Sequence, residues 1–332
     1  MTVLSNSKGD GLMVEETKRI EELPRVSSTL GKKLREEGYT TIEILATTSP
    51  AELASAVAIS ERLAKQVIQD ARNTVGGFTP ITAAEFFAIQ EEKPRLMTGS
   101  SHLDDILGGG VPVGAITEFS GAYASGKTQI CFQLCLTVQL PPEQGGLGGK
   151  AYFIDTEGTF SPRRLIEIAL ARGIDHHTAL KNILVSKAYN VDHMIILVNE
   201  AKRLVPQENI KLMVIDSVAS HFRAEFAGKQ QLPARQQALM RYAENLLKYA
   251  DTFTMAVVVT NQVLASPDAI VSGSFVEPAL GLAWGHRPTH RVFLRKARGN
   301  ARIARLFDSP ELPEREAIVY ITRSGVTDVA GD

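Results

Sequence analysis

The segment "FSGAYASGKTQICFQL" (residues 119–134) decides the fold. Its residues 121–128 match the pattern G-x-x-x-x-G-K-[ST] without a mismatch. In that pattern the backbone N–H groups of a glycine-rich loop surround an anion, a lysine contacts the outer phosphates of a nucleotide, and a hydroxyl group binds Mg²⁺. Lys127 and Thr128 would have these two roles here.

The sequence on both sides of this loop has the order strand, loop, helix that the pattern requires. Upstream, "AITEFSG" is a short apolar run with β-forming residues, and downstream "TQICFQLCLTVQL" has apolar residues at helical spacing. A glycine turn beside an unrelated lysine is the alternative interpretation, and the flanking segments count against it. We therefore predict a nucleotide site that contains Gly121, Ala122, Tyr123, Ala124, Ser125, Gly126, Lys127, Thr128 and Gln129.

The composition is that of a globular protein rather than a membrane or secreted one. The chain has 332 residues, enough for two domains, and a net charge of −1, so nucleic acid would have to bind to a local basic patch. The two cysteines, Cys131 and Cys135, lie four residues apart on the predicted helix and indicate core residues in a reducing compartment. No apolar run approaches about 18 residues, so we expect a cytoplasmic protein with no membrane partner.

Four regions are predicted along the chain. Residues 1–17 form a polar, disordered tail, and residues 18–73 contain short helical patterns that together indicate a small all-α domain. Residues 74–97 have the glycine and proline of a linker. In residues 98–332 helical stretches alternate with apolar, β-rich runs, which predicts an α/β core with a mostly parallel sheet and helices on both faces.

Three predicted strands end in polar side chains: Asp216 after "KLMVI", Asp155 and Glu157 after "AYFI", and Asn261 and Gln262 after "VVVT". Ligands of an open α/β sheet bind at the carboxyl ends of its strands. We expect Asp216 to hold Mg²⁺, Glu157 to activate the attacking water, and Gln262 to sense the γ-phosphate. Each residue alone could be a helix N-cap or turn residue. All three after a phosphate loop predict hydrolysis of ATP with Mg²⁺ as cofactor.

Five segments together resemble the archaeal RadA and eukaryotic strand-exchange recombinases, relatives of bacterial RecA: "TGSSHLDDILGGGVPVGAITEFSGAYASGKTQICFQL", "YFIDTEGTFSPRRL", "VIDSVASHFRAEF", "TNQV" and "RIARLFDSPELPEREA". The resemblance runs from about residue 20 to residue 325. It implies a RecA-like ATPase core after a helix-hairpin-helix-type domain. It also implies a DNA-dependent ATPase that forms helical filaments on single-stranded DNA and exchanges strands in recombination and repair.

The resemblance also implies roles for single residues. Lys127, Glu157 and Gln262 would be catalytic, Thr128 and Asp216 would hold Mg²⁺, and Arg164 would lie against the adenine. A second group would reach the ATP of a neighbouring subunit: His286, Asp308, Pro310 and Pro313. The implied partners are single- and double-stranded DNA, further copies of the chain and recombination mediators, and the implied location is the nucleoid.

Two predicted loops, residues 221–241 and 264–288, would face DNA in such a filament. The residues singled out in them are Arg223, Lys229, Arg235, Leu280, Gly281, Trp284 and Arg287. Residues 286–307 add seven Lys or Arg and no acid, on a predicted hairpin that turns at "ARGNA". Trp284 is a candidate to stack on a base. A solvated strand face with ion pairs, and packing of Trp284 within its own loop, are the alternatives.

Several positions depart from the family pattern. The loop "GAYASGKT" has Ala124 where "GEFGSGKT" has a glycine, so Ala124 must adopt a backbone conformation that glycine adopts freely. Leu280 likewise replaces a glycine, and "LPRVSS" (residues 23–28) lacks the hairpin glycines of "LPGVGP". The F-x-x-A oligomerisation motif fits poorly, because Phe78 is followed by Ala83 rather than by an alanine three residues on.

These departures leave three functions open. The first is the strand-exchange recombinase itself, and the second is a recombinase paralogue that acts as an accessory or mediator protein. The third is a RecA-like ATP-driven regulator or helicase. The "DSPELPEREA" segment and the N-terminal helical domain count against the third function, and the complete set of ATPase residues favours the first.

Overall fold

A computed structural model describes residues 19–76, 80–226, 228–263 and 279–331. The chain divides into two compact units, residues 1–79 and 80–332, and the division falls inside the predicted linker. The predicted tail, Phe78 and most of the second predicted DNA loop lie outside the described residues. None of the helices in the described part has both the length and the apolar character needed to cross a membrane.

The first unit is helical throughout its described part, as predicted. After a 3₁₀ turn at Ile20–Glu22 it contains α1 (Ser28–Glu36), α2 (Ile42–Thr47), α3 (Pro50–Val57) and α4 (Glu61–Val75). Each helix follows a hydroxyl side chain that accepts a hydrogen bond from a backbone N–H of the first turn, a strong N-terminal signal: Ser27, Thr41, Ser49 and Ser60. The helices bury one apolar face each, with Leu34, Leu45 and Leu53 fully buried.

The second unit is built on a large sheet. Its strands are β1 (Arg95–Leu96), β2 (Val111–Pro112), β3 (Ile116–Gly121), β4 (Lys150–Asp155), β5 (Ile183–Lys187), β6 (Ile210–Asp216), β7 (Ala256–Gln262), β8 (His290–Lys296), β9 (Ala301–Asp308), β10 (Arg315–Thr322) and β11 (Gly325–Thr327). Strands β1 and β2 form a separate antiparallel pair, and the other nine form one sheet in the order β11-β10-β9-β8-β3-β7-β6-β4-β5. The six strands from β8 to β5 are parallel, which confirms the predicted mostly parallel sheet.

Helices cover both faces of this sheet. The helices of the second unit are α5 (Ala83–Glu92), which buries none of its residues, α6 (Ser101–Ile106), α7 (Lys127–Thr137), α8 (Pro162–Ala171), α9 (His176–Lys181), α10 (Val191–Glu208), α11 (Ala219–Glu225), α12 (Leu232–Thr252) and α13 (Gly281–Gly285). Alternate strand residues point to opposite faces. Phe153 and Val258 therefore pack with α7 and α8 on one face, while Ile154 and Val257 pack with α10 and α12 on the other. The predicted α/β class with helices on both faces is confirmed.

Parallel pairing brings the polar strand ends to one edge of the sheet. Gly121 at the end of β3 is the register partner of Gln262 at the end of β7. Asp155 at the end of β4 is in turn the partner of Asp216 at the end of β6. The phosphate-loop pattern and the three predicted polar strand ends therefore lie side by side, as expected for this sheet.

The first predicted DNA loop, residues 221–241, is mostly helical, which corrects the prediction. Helix α11 continues to Glu225 and α12 begins at Leu232. The buried face of α12 includes Leu239, Tyr242 and Leu246, which recur at helical spacing. Packing of this face against the core stabilises the helix into the segment predicted as a loop. The predicted hairpin at "ARGNA" is present: β8 and β9 pair antiparallel, and Ala297 N–H donates to Ala301 O at 3.0 Å.

Candidate nucleotide site

A side chain would clash with the backbone at the first glycine of the loop between β3 and α7 and would be crowded at the second. A Cβ atom on Gly121 would lie 2.3 Å from the backbone oxygen of Leu294, and one on Gly126 would lie 3.1 Å from Ile321 Cδ1. Gly126 also has φ 106°, a left-handed conformation that favours glycine. Ala124 has φ 58°, as its position in the glycine-rich pattern predicted.

Lys127, the first residue of α7, extends back along the loop. Its Nζ donates to the carbonyl oxygens of Gly121 at 2.9 Å and Ala122 at 3.0 Å. Burial lowers the pKa of Lys127, and the nearby carboxylates of Asp216 and Glu157 act in the opposite direction. The first N–H groups of α7 have no partner within the helix, so this end of the helix offers both donors and a cation to a phosphate.

Asp216 lies behind the loop, at the end of β6. Its Oδ2 accepts from Thr128 Oγ1 at 2.7 Å, and its Oδ1 accepts from Thr260 Oγ1. Burial raises the pKa of Asp216, and these hydrogen bonds act against the rise. No cluster of three or more His, Cys, Asp or Glu side chains suited to a metal occurs in the described ranges. Mg²⁺ would therefore need Thr128 and Asp216 together with phosphate oxygens, the donor set that this ion commonly uses.

Glu157 and Gln262 meet in front of the loop. Glu157 Oε1 accepts from Gln262 Nε2 at 2.8 Å and from Ser217 Oγ at 2.6 Å. The contact from Ser217 was not predicted. Asp155, by contrast, accepts backbone N–H groups of the turn that follows β4, including that of Gly158 at 2.8 Å. For Asp155 the interpretation as a turn residue therefore fits the structure.

These residues line one cavity of about 520 Å³. The lining residues that the sequence predicted are Tyr123, Ala124, Ser125, Gly126, Lys127, Thr128, Gln129, Glu157, Arg164, Asp216 and Gln262. Arg164 is fixed at the wall of the cavity, where its Nε donates to Gln129 Oε1 at 2.8 Å and its Nη1 donates to the backbone oxygen of Arg323 at 3.1 Å. The lining residues that the sequence did not reveal are Phe132, Thr159, Ser161, Arg302 and Ile321.

Gly121 and Ala122 of the predicted site do not line this cavity, and neither do four predicted residues outside the loop: His286, Asp308, Pro310 and Pro313. All four are exposed on the second unit. His286 directly follows α13, and Asp308 ends β9. Their assignment to the nucleotide of a neighbouring subunit stays a prediction.

Two residues predicted to contact DNA are instead part of the core. Trp284 is 0% exposed and Leu280 is 2% exposed. The indole N–H of Trp284 donates to the buried carboxylate of Glu118 at 3.2 Å, so the ring has both apolar packing and a polar partner inside the protein. The structure therefore corrects the prediction that these two side chains face DNA.

The other predicted DNA residues lie nearer the surface. Arg223 on α11 and Gly281 on α13 are exposed, and Arg235 on α12 is half-buried. Arg287 is half-buried and pairs with Glu244 at 3.2 Å. The side chain of Lys229 lies outside the described part. Ala83, from the predicted oligomerisation motif, is the exposed first residue of α5.

The basic block of residues 286–307 does not form one charged face. Arg291 is buried against Glu118, and Arg302 lines the nucleotide cavity. Arg305 pairs with Glu314. Exposed basic side chains near the turn between β8 and β9 are those of Arg295, Lys296 and Arg298. Ion pairs, the alternative interpretation, therefore account for part of the block.

A phosphate loop between a parallel strand and a helix, with carboxylates on the neighbouring strands, defines a RecA-like nucleotide-binding protein of the P-loop class. The sequence model of the Rad51 family matches residues 90–329. The chain is 44% identical over 313 residues to the DNA repair and recombination protein RadA of Aeropyrum pernix, covering 94% of this chain and 98% of the relative. Identity to the protein of the same description from Metallosphaera sedula is 43% over 319 residues, covering 95% and 98%. The chain belongs to the Rad51 family, a family of ATP-binding proteins, and the predicted resemblance is confirmed.

Proposed function

We propose that this protein is an ATP- and Mg²⁺-dependent recombinase that forms helical filaments on single-stranded DNA and exchanges strands with duplex DNA. The relatives described as DNA repair and recombination proteins support this function. The observation that carries it is the contact of Gln262 with Glu157 at 2.8 Å. This contact joins the proposed water-activating group to the strand that leads toward a proposed DNA-binding segment.

In the proposed hydrolysis step, the phosphate loop and Lys127 hold the phosphates of ATP. Mg²⁺, when bound, neutralises charge on the phosphates, and Thr128 and Asp216 supply the protein oxygens for it. Glu157 accepts a proton from the attacking water, and Ser217 keeps the Glu157 carboxylate oriented through the 2.6 Å hydrogen bond.

Gln262 would link hydrolysis to DNA. Its side chain contacts Glu157, and its backbone oxygen accepts from Ala279 N–H at 2.9 Å. The same residue therefore contacts the proposed catalytic carboxylate and Ala279, the first described residue after residues 264–278. A γ-phosphate that competes for the Gln262 amide would change the position of both flanks of that segment.

DNA phosphates would be held by basic and backbone groups of the second unit. The proposed contacts are Arg223, Lys229, Arg235, Gly281 and Arg287, joined by the exposed Arg295, Lys296 and Arg298. Phosphate contacts of this type position the protein without selecting a sequence. We therefore expect binding that depends on salt and on ATP but hardly on base sequence.

Filament formation would use the linker of one copy and the sheet edge of the next. Strand β5 is an edge of the described sheet, and Val185 on it is 41% exposed. Phe78 is the proposed apolar anchor, with Ala83 as the small residue of the motif. Phe86 and Phe87 on α5 are 55% and 64% exposed and are the alternative anchors. His286 and residues 308–313 would then reach the neighbour's ATP.

Electron microscopy with an ATP analogue and single-stranded DNA tests this proposal. We expect long helical filaments for the wild type, discrete particles for Phe78→Glu, and no nucleotide-dependent assembly for Lys127→Ala. A fluorescent nucleotide should still bind to Phe78→Glu but not to Lys127→Ala. Discrete wild-type particles that bind both ATP and DNA would contradict the filament.

An accessory paralogue of the same family is the second candidate function. One observation favours it: Arg25, in the segment that lacks the hairpin glycines, pairs with Asp70 of the same unit. This pair uses a cation that could otherwise contact a phosphate. An accessory protein would stimulate strand exchange by another recombinase without performing the reaction alone, and a strand-exchange assay with purified protein separates the two functions.

A further inference from the structure

A carboxylate without access to solvent lies in the middle of β3. Glu118 is 0% exposed, and its two oxygens accept hydrogen bonds from three side chains. Oε1 accepts from Asn261 Nδ2 at 2.6 Å and from Trp284 Nε1 at 3.2 Å, and Oε2 accepts from Arg291 Nε at 2.6 Å. A buried charge needs such partners, because an unpaired one is strongly destabilising.

Two of these donors, Asn261 and Trp284, lie one and two residues before a residue assigned to the nucleotide. Asn261 precedes Gln262 on β7, and adjacent strand residues point to opposite faces of the sheet. Asn261 therefore contacts Glu118 while Gln262 faces the nucleotide cavity. Trp284 lies two residues before His286, and the intervening chain is short enough to limit the movement of His286.

The third donor extends the same network to β9. Arg291 Nη1 lies 3.6 Å from Asp308 Oδ2, and its guanidinium carbon lies 4.8 Å from the centre of the Phe307 ring. Glu118 itself is three residues before Gly121, on the strand that leads into the phosphate loop. One buried carboxylate thus connects the phosphate loop, the strand of Gln262, and both segments assigned to the neighbour's ATP.

We propose that Trp284 is a positioning residue of the nucleotide switch, an inference that rests on the function proposed above. The bond from its indole N–H to Glu118 holds His286 in a fixed relation to Gln262 and to the phosphate loop. Apolar packing alone would keep the ring in the core, where it lies among residues such as Val259 and Leu246. The hydrogen bond from the indole N–H fixes the orientation of the ring, which apolar packing alone does not fix. A change in the position of Gln262 is therefore transmitted through Glu118 to Trp284.

The first test uses the wild-type protein without DNA. Trp284 is the single tryptophan of the chain, so its emission reports on this network without a label. We expect a non-hydrolysable ATP analogue with Mg²⁺ to change the emission of the wild type but not that of Lys127→Ala. Unchanged emission, with nucleotide binding demonstrated by a fluorescent analogue, would overturn the inference alone. Failure to bind nucleotide would overturn the proposed function and the inference with it.

The second test compares Trp284→Phe with Tyr242→Phe. Tyr242 is buried in the same cluster, and its hydroxyl has no hydrogen-bond partner among the described residues, so its removal is a matched control. We expect Trp284→Phe to reduce about tenfold the gain in single-stranded DNA affinity that the ATP analogue produces, the scale of one hydrogen bond to a charged group. Anisotropy of a labelled oligonucleotide measures this gain.

Tyr242→Phe should keep the wild-type gain and unfold near the wild-type temperature, whereas Trp284→Phe should unfold at a lower temperature but stay folded under the assay conditions, because it removes a donor to the buried Glu118 carboxylate. An unchanged gain in Trp284→Phe, or an equal loss in both variants, would overturn the inference. If Trp284→Phe does not fold, the emission test on the wild type decides.

Discussion

Ala124 has φ 58°, a left-handed conformation that costs a residue with a side chain roughly 1–2 kcal/mol. Glycine avoids this cost but loses more conformational freedom on folding. We therefore expect Ala124→Gly to raise the free energy of unfolding by up to about 1 kcal/mol, measured by urea denaturation. Ala122→Gly is the control: Ala122 is also exposed but has no positive φ, so its replacement should lower stability. A loss for both variants would contradict the strain at Ala124.

Glu157 is the proposed group that accepts the proton of the attacking water. Glu157→Gln removes its basicity but keeps an oxygen that can accept from Ser217. We expect normal ATP binding and hydrolysis at least ~100-fold slower, in a single-turnover assay. Glu200→Gln, which changes an exposed carboxylate paired with Arg203, should hydrolyse ATP at the wild-type rate. A Glu157→Gln variant with wild-type turnover would show that another group activates the water.

The residues of the cavity differ in how readily they can be predicted from the sequence. Lys127 belongs to the glycine-rich pattern, and Asp216 and Gln262 end apolar strands, so local pattern and the geometry of a parallel sheet suffice to place the three residues together. Arg302 reaches the cavity from an antiparallel strand far along the chain, and no local signal marks it. The small residues around Trp284 predict a surface loop, whereas its hydrogen-bond partner, Glu118, lies on a distant strand.

The carboxylate of Asp328, directly after β11, contacts the start of helix α6. Asp328 accepts hydrogen bonds from Ser100 Oγ, from Ser101 N–H at 2.9 Å and from His102 N–H at 3.2 Å. Burial raises the pKa of Asp328, but these hydrogen bonds outweigh burial and lower it to about 2. Because the pKa is lower in the folded state than the ordinary value of about 3.9, the stabilisation is complete above that value and disappears as pH falls through about 2.

Asp328→Asn should therefore be less stable than the wild type at pH 5, and the difference should shrink toward pH 2. Thermal unfolding of both proteins across this range is the measurement. Asp105→Asn, on the same helix, is the control: it removes one exposed ion pair with Arg315, so its effect on stability should be small. A difference between Asp328→Asn and the wild type that stays constant down to pH 2 would mean that Asp328 acts through packing and not through its charge.

At the scale of elements, the sequence predicted strands better than it predicted the limits of loops. Strands β4, β6 and β7 are nearly continuous apolar runs because both of their faces are covered, and such runs are easy to recognise. The first predicted DNA loop is longer than the segment between α11 and α12, because its charged residues mask the helical spacing of Leu239 and Tyr242. Burial of those two side chains depends on strands that precede them, which the local pattern does not contain.

Binding of the whole molecule to single-stranded DNA should depend steeply on salt. With about five phosphate contacts per subunit at ~0.7 each, the log–log slope of affinity against salt should be about −3 to −4. Arg295→Ala should make the slope shallower by ~0.7, whereas Arg203→Ala, at an ion pair on α10, should leave it unchanged. Titrations with poly-dT at several salt concentrations give the slope, and a value near zero would remove the phosphate contacts from the proposal.

The exposed edge of β5 also affects the solubility of the purified protein. Among the described strands β5 has a neighbour on one side only, and a strand edge of this kind with an exposed valine is a template for irregular pairing and precipitation. A variant that cannot assemble, such as Phe78→Glu, would leave this edge uncovered and so should lose solubility as it is concentrated. A lysine in place of Val185 would protect the edge, because its charge opposes irregular pairing between strand edges. The double variant is therefore the better form in which to crystallise a single copy of the chain.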